Sequence, residues 1–355
     1  MDLFAGPGGL DMAATALGLP SLGIEWDANA VTTRRAAGLR TVHGDVRHYG
    51  PADFPEATVL AGGPPCQSFT VAGTGAGRRA LDDVLKFVQR LVDRDTRDNI
   101  DADLAEMDDE RTGLVLEPLR WALSAIDNDE LRPYSAIVLE QVPAALPVWE
   151  AYGEALADEG YSVAHGILHT EEFGVPQTRR RAILVARRDG QAAALPTPTH
   201  HRYRKGVPRP SADLVRQSWV AMKDVLTERT DPFQVVSNYG TGGDPKLRGR
   251  RHSCEPSATV TGKVSRNRIV TDDAAELDLP RLSHSEAGLL QTFPKRFPWS
   301  GGDIAQQIGN AVPPRLGIHV LSAALGLTPP GEDEWRALAD WSPQVRDEAA
   351  ADASH

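Results

Sequence analysis

Two cysteines are few for 355 residues, and Cys66 and Cys254 belong to no CxxC pair. That scarcity excludes a disulfide framework and a cysteine-rich zinc site, and leaves each sulfur a role, if any, as a thiol. No apolar run approaches the roughly 18 residues of a membrane-spanning helix, and no cleavable signal segment opens the chain. The reading therefore expects a cytoplasmic enzyme with no membrane association. Positive charge is also in deficit: 38 Lys and Arg face 49 Asp and Glu, a net charge of -11. As a single number this argues against a nucleic-acid partner.

The distribution of charge reverses that inference. Between Pro176 and Ser211 there are nine Arg or Lys and one acid, Asp189, and between Pro245 and Thr271 seven and one, Glu255. From Asp93 to Glu110 nine carboxylates face two arginines. A polyanion can dock on the basic stretches while the acidic ones face solvent. The ordinary alternative is that such runs are solvated surface. The 41% hydrophobic and 25% charged composition is globular, and the length suits a large catalytic unit with a smaller lobe.

Short β-rich runs (Leu19 to Glu25, Thr58 to Ala61, Ala136 to Val142, Tyr161 to Leu168, Ala182 to Ala186) alternate with amphipathic helical stretches (Gly9 to Leu17, Leu114 to Ile126, Val148 to Glu159). The alternation predicts an α/β fold, a parallel sheet covered by helices, with ligands at the carboxyl ends of its strands. After about Asp189 prolines punctuate a basic stretch, followed by short β-like pieces at Phe233 to Val236, Ser257 to Val260 and Arg268 to Val270. Ser283 and Glu286 form a capping box opening a helix toward Leu290; Gly309 to Pro314 reads as a loop before a last helix ending near Leu325. The expected division is a catalytic domain over 1–189 with an acidic helical insertion at 82–109, a target-recognition lobe over 190–280, a return to the catalytic domain over 281–326, and an acidic tail over 327–355. His165 and His169, on a strand-like stretch, read as structural, and no metal site is expected.

Three strand ends carry cofactor-like features. DLFAGPGG (Asp2 to Gly9) is a strand running into a glycine turn, where the backbone can approach a bound group closely. Glu25-Trp26 offers an acid for a ribose and an aromatic for an adenine, and Asp45-Val46 closes a third unit. A glycine turn closing any βα unit is the plain alternative for the first alone. The sharpest feature is GGPPCQSF (Gly62 to Phe69), directly after Val59 to Ala61. A cysteine on a proline-stiffened loop at a strand end occupies a nucleophile's position, although a lone cysteine is more often a small buried hydrophobe.

In this order the motifs resemble the cytosine-C5 DNA methyltransferases of prokaryotic type, from Asp2 to about Pro314. PPCQSF resembles the nucleophile loop, the stretch from Asp109 to Leu114 a further cofactor element, Glu140-Gln141-Val142 the glutamate motif, and Gln177 to Arg181 (QTRRR) the arginine motif. PRLSHSEAGLLQTFP resembles the family's late helix, and Gln307 to Pro313 (QIGNAVP) its returning cofactor loop. The resemblance implies a Rossmann-like methyltransferase sheet with a smaller, irregular β-rich target-recognition lobe. S-adenosyl-L-methionine would be held by Phe4, Gly6, Gly8, Gly9, Leu10, Glu25, Trp26, Asp45, Val46, Pro65, Leu114, Asn310 and Val312, leaving S-adenosyl-L-homocysteine as product.

It further implies that Cys66 attacks C6 of a cytosine flipped out of duplex DNA, that Glu140 binds N3 and the exocyclic amine, and that Arg181 reaches O2. Arg179 would position Glu140 or a backbone phosphate. The loop Thr70 to Arg79 would close over the base. Gln67, Ser68, Thr70, Arg78 and Gln177 would face the DNA, as would Arg248, Arg250, Arg251, Lys263, Arg266 and Arg268 of the lobe. The implied setting is restriction-modification or phage defence, with a cognate nuclease as partner and a monomeric enzyme.

Three features depart from the family pattern. Gln141 stands where the family has asparagine, only three residues precede Phe4, and the acidic insertion lengthens the span from Cys66 to Arg111. The short opening suggests an authentic start upstream or a clipped first strand. Rival readings are a tRNA cytosine-C5 methyltransferase, a noncatalytic DNA-binding relative, and a thiol hydrolase, which would need an activating histidine that no motif supplies.

Overall fold

The computed structural model describes residues 1–65, 75–105, 110–237 and 248–343, with backbone alone at 75–80 and 110–112. Seven strands form the main sheet: β1 (Asp2–Leu3), β2 (Gly23–Glu25), β3 (Thr41–His43), β4 (Val59–Gly62), β5 (Ala136–Gln141), β6 (Ser162–His169) and β7 (Arg180–Arg187), in the order β3-β2-β1-β4-β5-β7-β6. The first five pair in parallel, as the alternation requires. β7 runs antiparallel to both β5 and β6, which corrects the expectation of a wholly parallel sheet. The reason is local: β6 and β7 are separated by only a short turn through Thr170–Phe173, too short for a crossover helix.

The helices among the described residues, apart from short 3-10 turns, are α1 (Gly9–Ala16), α2 (Ala28–Ala36), α3 (Gly75–Val92), α4 (Arg97–Leu104), α5 (Glu117–Asp127), α6 (Leu146–Asp158), α7 (Met222–Val225), α8 (His284–Leu290), α9 (Ile304–Asn310), α10 (Pro314–Leu325) and α11 (Glu332–Ala339). Along β5, successive side chains serve opposite faces. Ile137 and Leu139 join a core with Trp121 of α5 and Trp149 of α6, whereas Ala136 and Val138 join one with Leu10 of α1 and Leu316 of α10. Trp121 and Trp149 are fully buried, each removing on the order of 200 Å² from water, an upper bound of roughly 5 kcal/mol apiece. α6 opens with proline near its first turn and stops at Gly160, whose φ of 85° sets the left-handed exit.

A second, antiparallel sheet is built from β8 (Phe233–Val236), β9 (Arg250–His252), β10 (Arg268–Thr271) and β11 (Asp278–Leu279), ordered β11-β10-β8-β9. Its core of Phe233, Val235 and Ile269 continues into Leu290 of α8 and Ile308 of α9. The capping box of α8 forms as expected, with Ser283 Oγ accepting from the Glu286 amide at 3.1 Å. Two local expectations are corrected. Ser257 to Val260 is no strand, because its backbone is spent on the arginine-motif segment: the Ser257 amide donates to Pro176 O and its carbonyl accepts from Thr178. The loop expected over Gly309 to Pro314 shrinks to residues 311–313, since α9 runs through Asn310 and α10 begins at Pro314. After Gly326 the described chain continues as α11, with Trp335 packed on Arg315 and His319 and Trp341 on Phe297. Among the described residues no helix is long and apolar enough to cross a membrane.

Candidate active site

The carboxyl ends of the parallel strands and the start of antiparallel β7 meet at one edge of the sheet. Glu140, next to last in β5, is buried; Arg181 enters β7 beside it, and Arg181 Nε lies 2.5 Å from Glu140 Oε1. Facing charges in a site this enclosed hold each other in place. The Glu140 carboxylate also overhangs the loop after β4: a Cβ on Gly63 would sit 3.5 Å from Glu140 Oε2. Next to it, the buried Gln141 donates from its side-chain amide to Pro64 O at 2.5 Å, and its Oε1 accepts from the Val142 amide. Gln141 therefore reaches the loop after β4 two positions before Cys66. Cys66 itself, with Gln67, Ser68 and Thr70, lies outside the described residues, as does the side chain of Arg78.

Two of the expected contacts fall elsewhere. Gln177 has no exposed surface; its amide donates to Leu290 O and Gln291 Oε1, and its Oε1 accepts from the Val260 amide at 2.9 Å. A side chain so enclosed cannot face DNA, which corrects that expectation. Arg179 is likewise buried, donating to Val260 O at 3.1 Å and Gly309 O at 2.9 Å, so it is no phosphate contact. Both residues tie the arginine-motif segment to Val260 and to the α8–α9 region, where isolated polar groups would be costly.

Around the glycine turn, Phe4, Gly6 and Gly8 all have positive φ, and at Phe4 this costs on the order of 1 kcal/mol. Glu25 holds the turn: its carboxylate accepts from the Gly6 amide at 2.6 Å and the Asp27 amide at 2.7 Å. Burial raises its pKa despite those bonds. Beneath, Arg34 and Asp11 form a 2.6 Å ion pair with no exposed surface. The start of α1 lies against the returning loop so closely that a Cβ on Gly9 would meet Val312 O at 2.1 Å. Leu10 is buried in the same helix, whereas Trp26 is 69% exposed, its ring free to cover a planar ligand.

Asp45 is buried but bound by Arg47 at 2.6 Å; burial opposes ionisation, yet the Arg47 hydrogen bonds outweigh it and the pKa falls. Val46 is buried, Pro65 and Leu114 are half-buried, and Asn310 is exposed with its Oδ1 accepting from Gln306. Sequence reading missed Arg120 and Arg97, which brace this turn. Arg120 donates to Val46 O and Tyr49 O, and Arg97, from the acidic insertion, donates to Arg47 O. Single arginines on amphipathic helices carry no signal that would have identified them.

In the lobe, Arg250 is paired bidentately with Glu276 and Arg268 with Asp278, while Arg251 lies over the Tyr203 ring at 4.8 Å. Arg248 is half-buried, and Lys263 and Arg266 are exposed without an ion pair among the described residues. Exposed pairs of this kind are worth only about 0–1 kcal/mol, so a phosphate can displace them. Among the described residues no group of three His, Cys, Asp or Glu is placed to hold a metal ion.

The family described as C-5 cytosine-specific DNA methylase matches residues 1–88 and 135–325, and the chain belongs to it. Its members' activity is that of a DNA (cytosine-5-)-methyltransferase, a transferase. Relatives include the Type II methyltransferase M1.HphI of Haemophilus parahaemolyticus, 27% identical over 92% of this chain and 86% of the relative. Another is the Type II methyltransferase M.HgiDI of Herpetosiphon aurantiacus, 28% identical over 91% and 93%. The fold is similar to that of S. pombe Dnmt2 methyltransferase (TM-score 0.59, 18% identity, 92% and 97% covered) and Entamoeba histolytica methyltransferase EhMeth (TM-score 0.58, 14% identity, 92% and 97% covered).

Proposed function

We propose that the protein methylates C5 of a cytosine flipped out of duplex DNA, with S-adenosyl-L-methionine as donor and through a covalent bond between Cys66 and C6. The observation that carries this reading is the Glu140–Arg181 pair standing over Gly63 while Gln141 holds the Pro64 carbonyl. The glycine turn, the Glu25 carboxylate and the exposed Trp26 ring fit an adenosyl group with a charged amino-acid tail, with Leu10, Val46, Leu114 and Val312 around it. Asp45 would bind the adenine amine once Arg47 swings aside. S-adenosylmethionine supplies an electrophilic methyl group when bound.

Cytosine C5 is too weak a nucleophile until a group adds across the C5–C6 bond. The Cys66 thiolate adds to C6, and C5 acquires carbanion character. Glu140 shares a proton with N3 as charge moves into the ring, and Arg181 orients Glu140 and donates a hydrogen bond to O2. After methylation, a base removes the C5 proton and Cys66 leaves C6, restoring the aromatic ring. Flipping precedes all of this, because C6 is shielded within the stack. The setting proposed is cytoplasmic restriction-modification or phage defence by a monomer, with a cognate nuclease reading the same sequence.

The test is trapping. With S-adenosylmethionine and 5-fluorocytosine in duplex DNA, C5 carries a fluorine in place of the proton, so Cys66 cannot leave. A denaturing gel should display a DNA adduct that disappears in Cys66→Ala. An adduct with fluorinated RNA alone would move the substrate to RNA, and no adduct with either would sink the covalent route.

A further inference from the structure

A cleft of about 650 Å³ opens beside the turn after β6, lined by none of the residues assigned above to catalysis or to the cofactor. Three segments enclose it: part of the chain that follows β7, the start of α10 and the start of α11. The third lies past residue 325, where the family match ends, so one wall falls outside the matched residues.

Arg315, the second residue of α10, carries the charge of this cleft. Its Nε donates to Phe173 O at 3.1 Å and its guanidinium lies 4.2 Å over the Trp335 ring. The two terminal nitrogens have neither a hydrogen bond nor an ion pair among the described residues. Burial pulls the pKa down to about 10, and only the Glu332 carboxylate opposes that fall. The cation also stands at the amino end of a 12-residue helix, where the helix dipole disfavours it. Beside it, His200 is 7% exposed; Nδ1 meets Thr199 Oγ1 at 2.9 Å, and Nε2 has no partner among the described residues. The two groups are neighbours, because a Cβ on Gly174 would sit 2.7 Å from Arg315 Nε and 2.8 Å from His200 Cε1. Burial and the Arg315 charge push the His200 pKa down to about 4, so the imidazole is neutral at neutral pH.

We infer that this cleft binds a small phosphate that keeps one P–OH, either orthophosphate or a singly protonated monoester. The Arg315 fork takes two of its oxygens. The Thr199 hydroxyl donates to Nδ1 of His200, which leaves the ring proton on Nε2 to meet a third. A buried guanidinium without a carboxylate is costly, and an anion that accepts from both terminal nitrogens removes the cost. The cleft's acid selects among anions. Sulfate offers only acceptors and would face Glu332 with like charge, whereas the phosphate hydroxyl donates to that carboxylate. Arg209, also on the lining, is held by Asp224 at 2.7 Å in an exposed pair weak enough to turn toward the ligand. A duplex backbone suits the cleft poorly, since the first turn of α11 carries Glu332, Asp333 and Glu334 and repels a polyanion. The cleft volume falls within the roughly 300–1,000 Å³ of small-ligand sites.

The full chain is titrated calorimetrically with orthophosphate, ribose 5-phosphate and sulfate in an amine buffer at constant ionic strength, beside Arg315→Met and Glu332→Gln. Orthophosphate or ribose 5-phosphate should bind at one site, with sulfate weaker by about tenfold or more. Whichever of the two phosphates binds more tightly identifies the source of the group. Arg315→Met should lose the binding. Glu332→Gln, altered at an exposed side chain and expected to fold like the parent, should bring sulfate and phosphate to similar affinity. No heat from any of the three at millimolar concentration would overturn the proposal, as would both variants matching the parent. Sulfate binding the parent as tightly as phosphate would overturn the assigned ligand. Displacement of the phosphate by a mixed-sequence duplex would make the cleft part of the DNA surface and overturn a small-ligand site. None of these outcomes depends on catalysis, because Arg315, His200 and Glu332 take no part in the proposed reaction.

Discussion

The side-chain amide of Gln141 donates to the carbonyl oxygen of Pro64 at 2.5 Å, joining the end of β5 to the loop that carries Cys66. The longer side chain spans a gap that one methylene less would leave open. Gln141→Asn should leave Pro64 O without this donor in a buried setting, at a cost of about 1–3 kcal/mol, unless the loop shifts inward. The expected outcome is a rate of adduct formation on 5-fluorocytosine DNA lowered about tenfold, with a melting temperature changed by a few degrees at most. An unchanged rate would separate Gln141 from loop positioning.

The Arg34–Asp11 pair stands under the glycine turn with no exposed surface on either partner. Arg34 also donates to Thr41 Oγ1 and Arg40 O, so it ties α2 to β3 and to the turn. Arg34→Met strands the Asp11 carboxylate in the core and should cost about 3–5 kcal/mol, read as a drop in the urea midpoint. The double change Arg34→Met/Asp11→Leu should recover part of that stability, because removing both charges removes the stranded ion. No recovery would mean that packing, not charge, is what Arg34 supplies.

Arg120 donates to Val46 O and Tyr49 O at 3.1 and 2.7 Å while paired with Glu117. It acts on the cofactor-side turn from behind. Arg120→Ala should raise the dissociation constant for S-adenosylmethionine about tenfold, the equivalent of roughly 1.4 kcal/mol, by calorimetry. Arg120→Lys should restore part of it. Equal weakening of DNA and cofactor binding would point to general loosening instead.

Glu171 is buried beside His169, with Glu172, Arg202 and Arg251 around it, and burial pushes its carboxyl up to about 7 from 4.5. A raised folded-state pKa makes the protonated form the stabilising one. Its contribution is complete below about 4.5 and is lost as pH rises through about 7. Glu171→Gln should therefore gain on the parent as pH climbs from 5 to 8, by up to roughly 3 kcal/mol from this linkage alone. Parallel stability curves for the two proteins across that range would refute the assignment.

Much of the fold was legible because its signals are local. β5 reads as an apolar run of β-formers, α8 announces itself by Ser283 and Glu286, and α10 ends at Gly326, where φ is 63°. The spacing between strands marks which crossovers need helices. Glu140 and Arg181 stand out in the sequence by their motifs, but their contact was not legible there. It requires β7 to run antiparallel, and register between distant strands leaves no trace in a window of ten residues. Gln177 and Arg179 show the limit from the other side. A polar residue within an arginine-rich motif looks surface-bound until its partners, the carbonyls of Leu290, Val260 and Gly309, are folded around it.

The amino-acid sequence by itself determined the family, the order of the strand ends and the types of side chain offered there, since each is written in short contiguous stretches. Only the tertiary structure decided which of those side chains meet. It paired Arg181 with Glu140, withdrew Gln177 and Arg179 into the interior, packed α11 onto α10, and left Leu214 and Val215 in solvent. The physical reason is that burial and pairing depend on contacts between residues far apart in the chain, whose closure is set by the packing of the whole sheet.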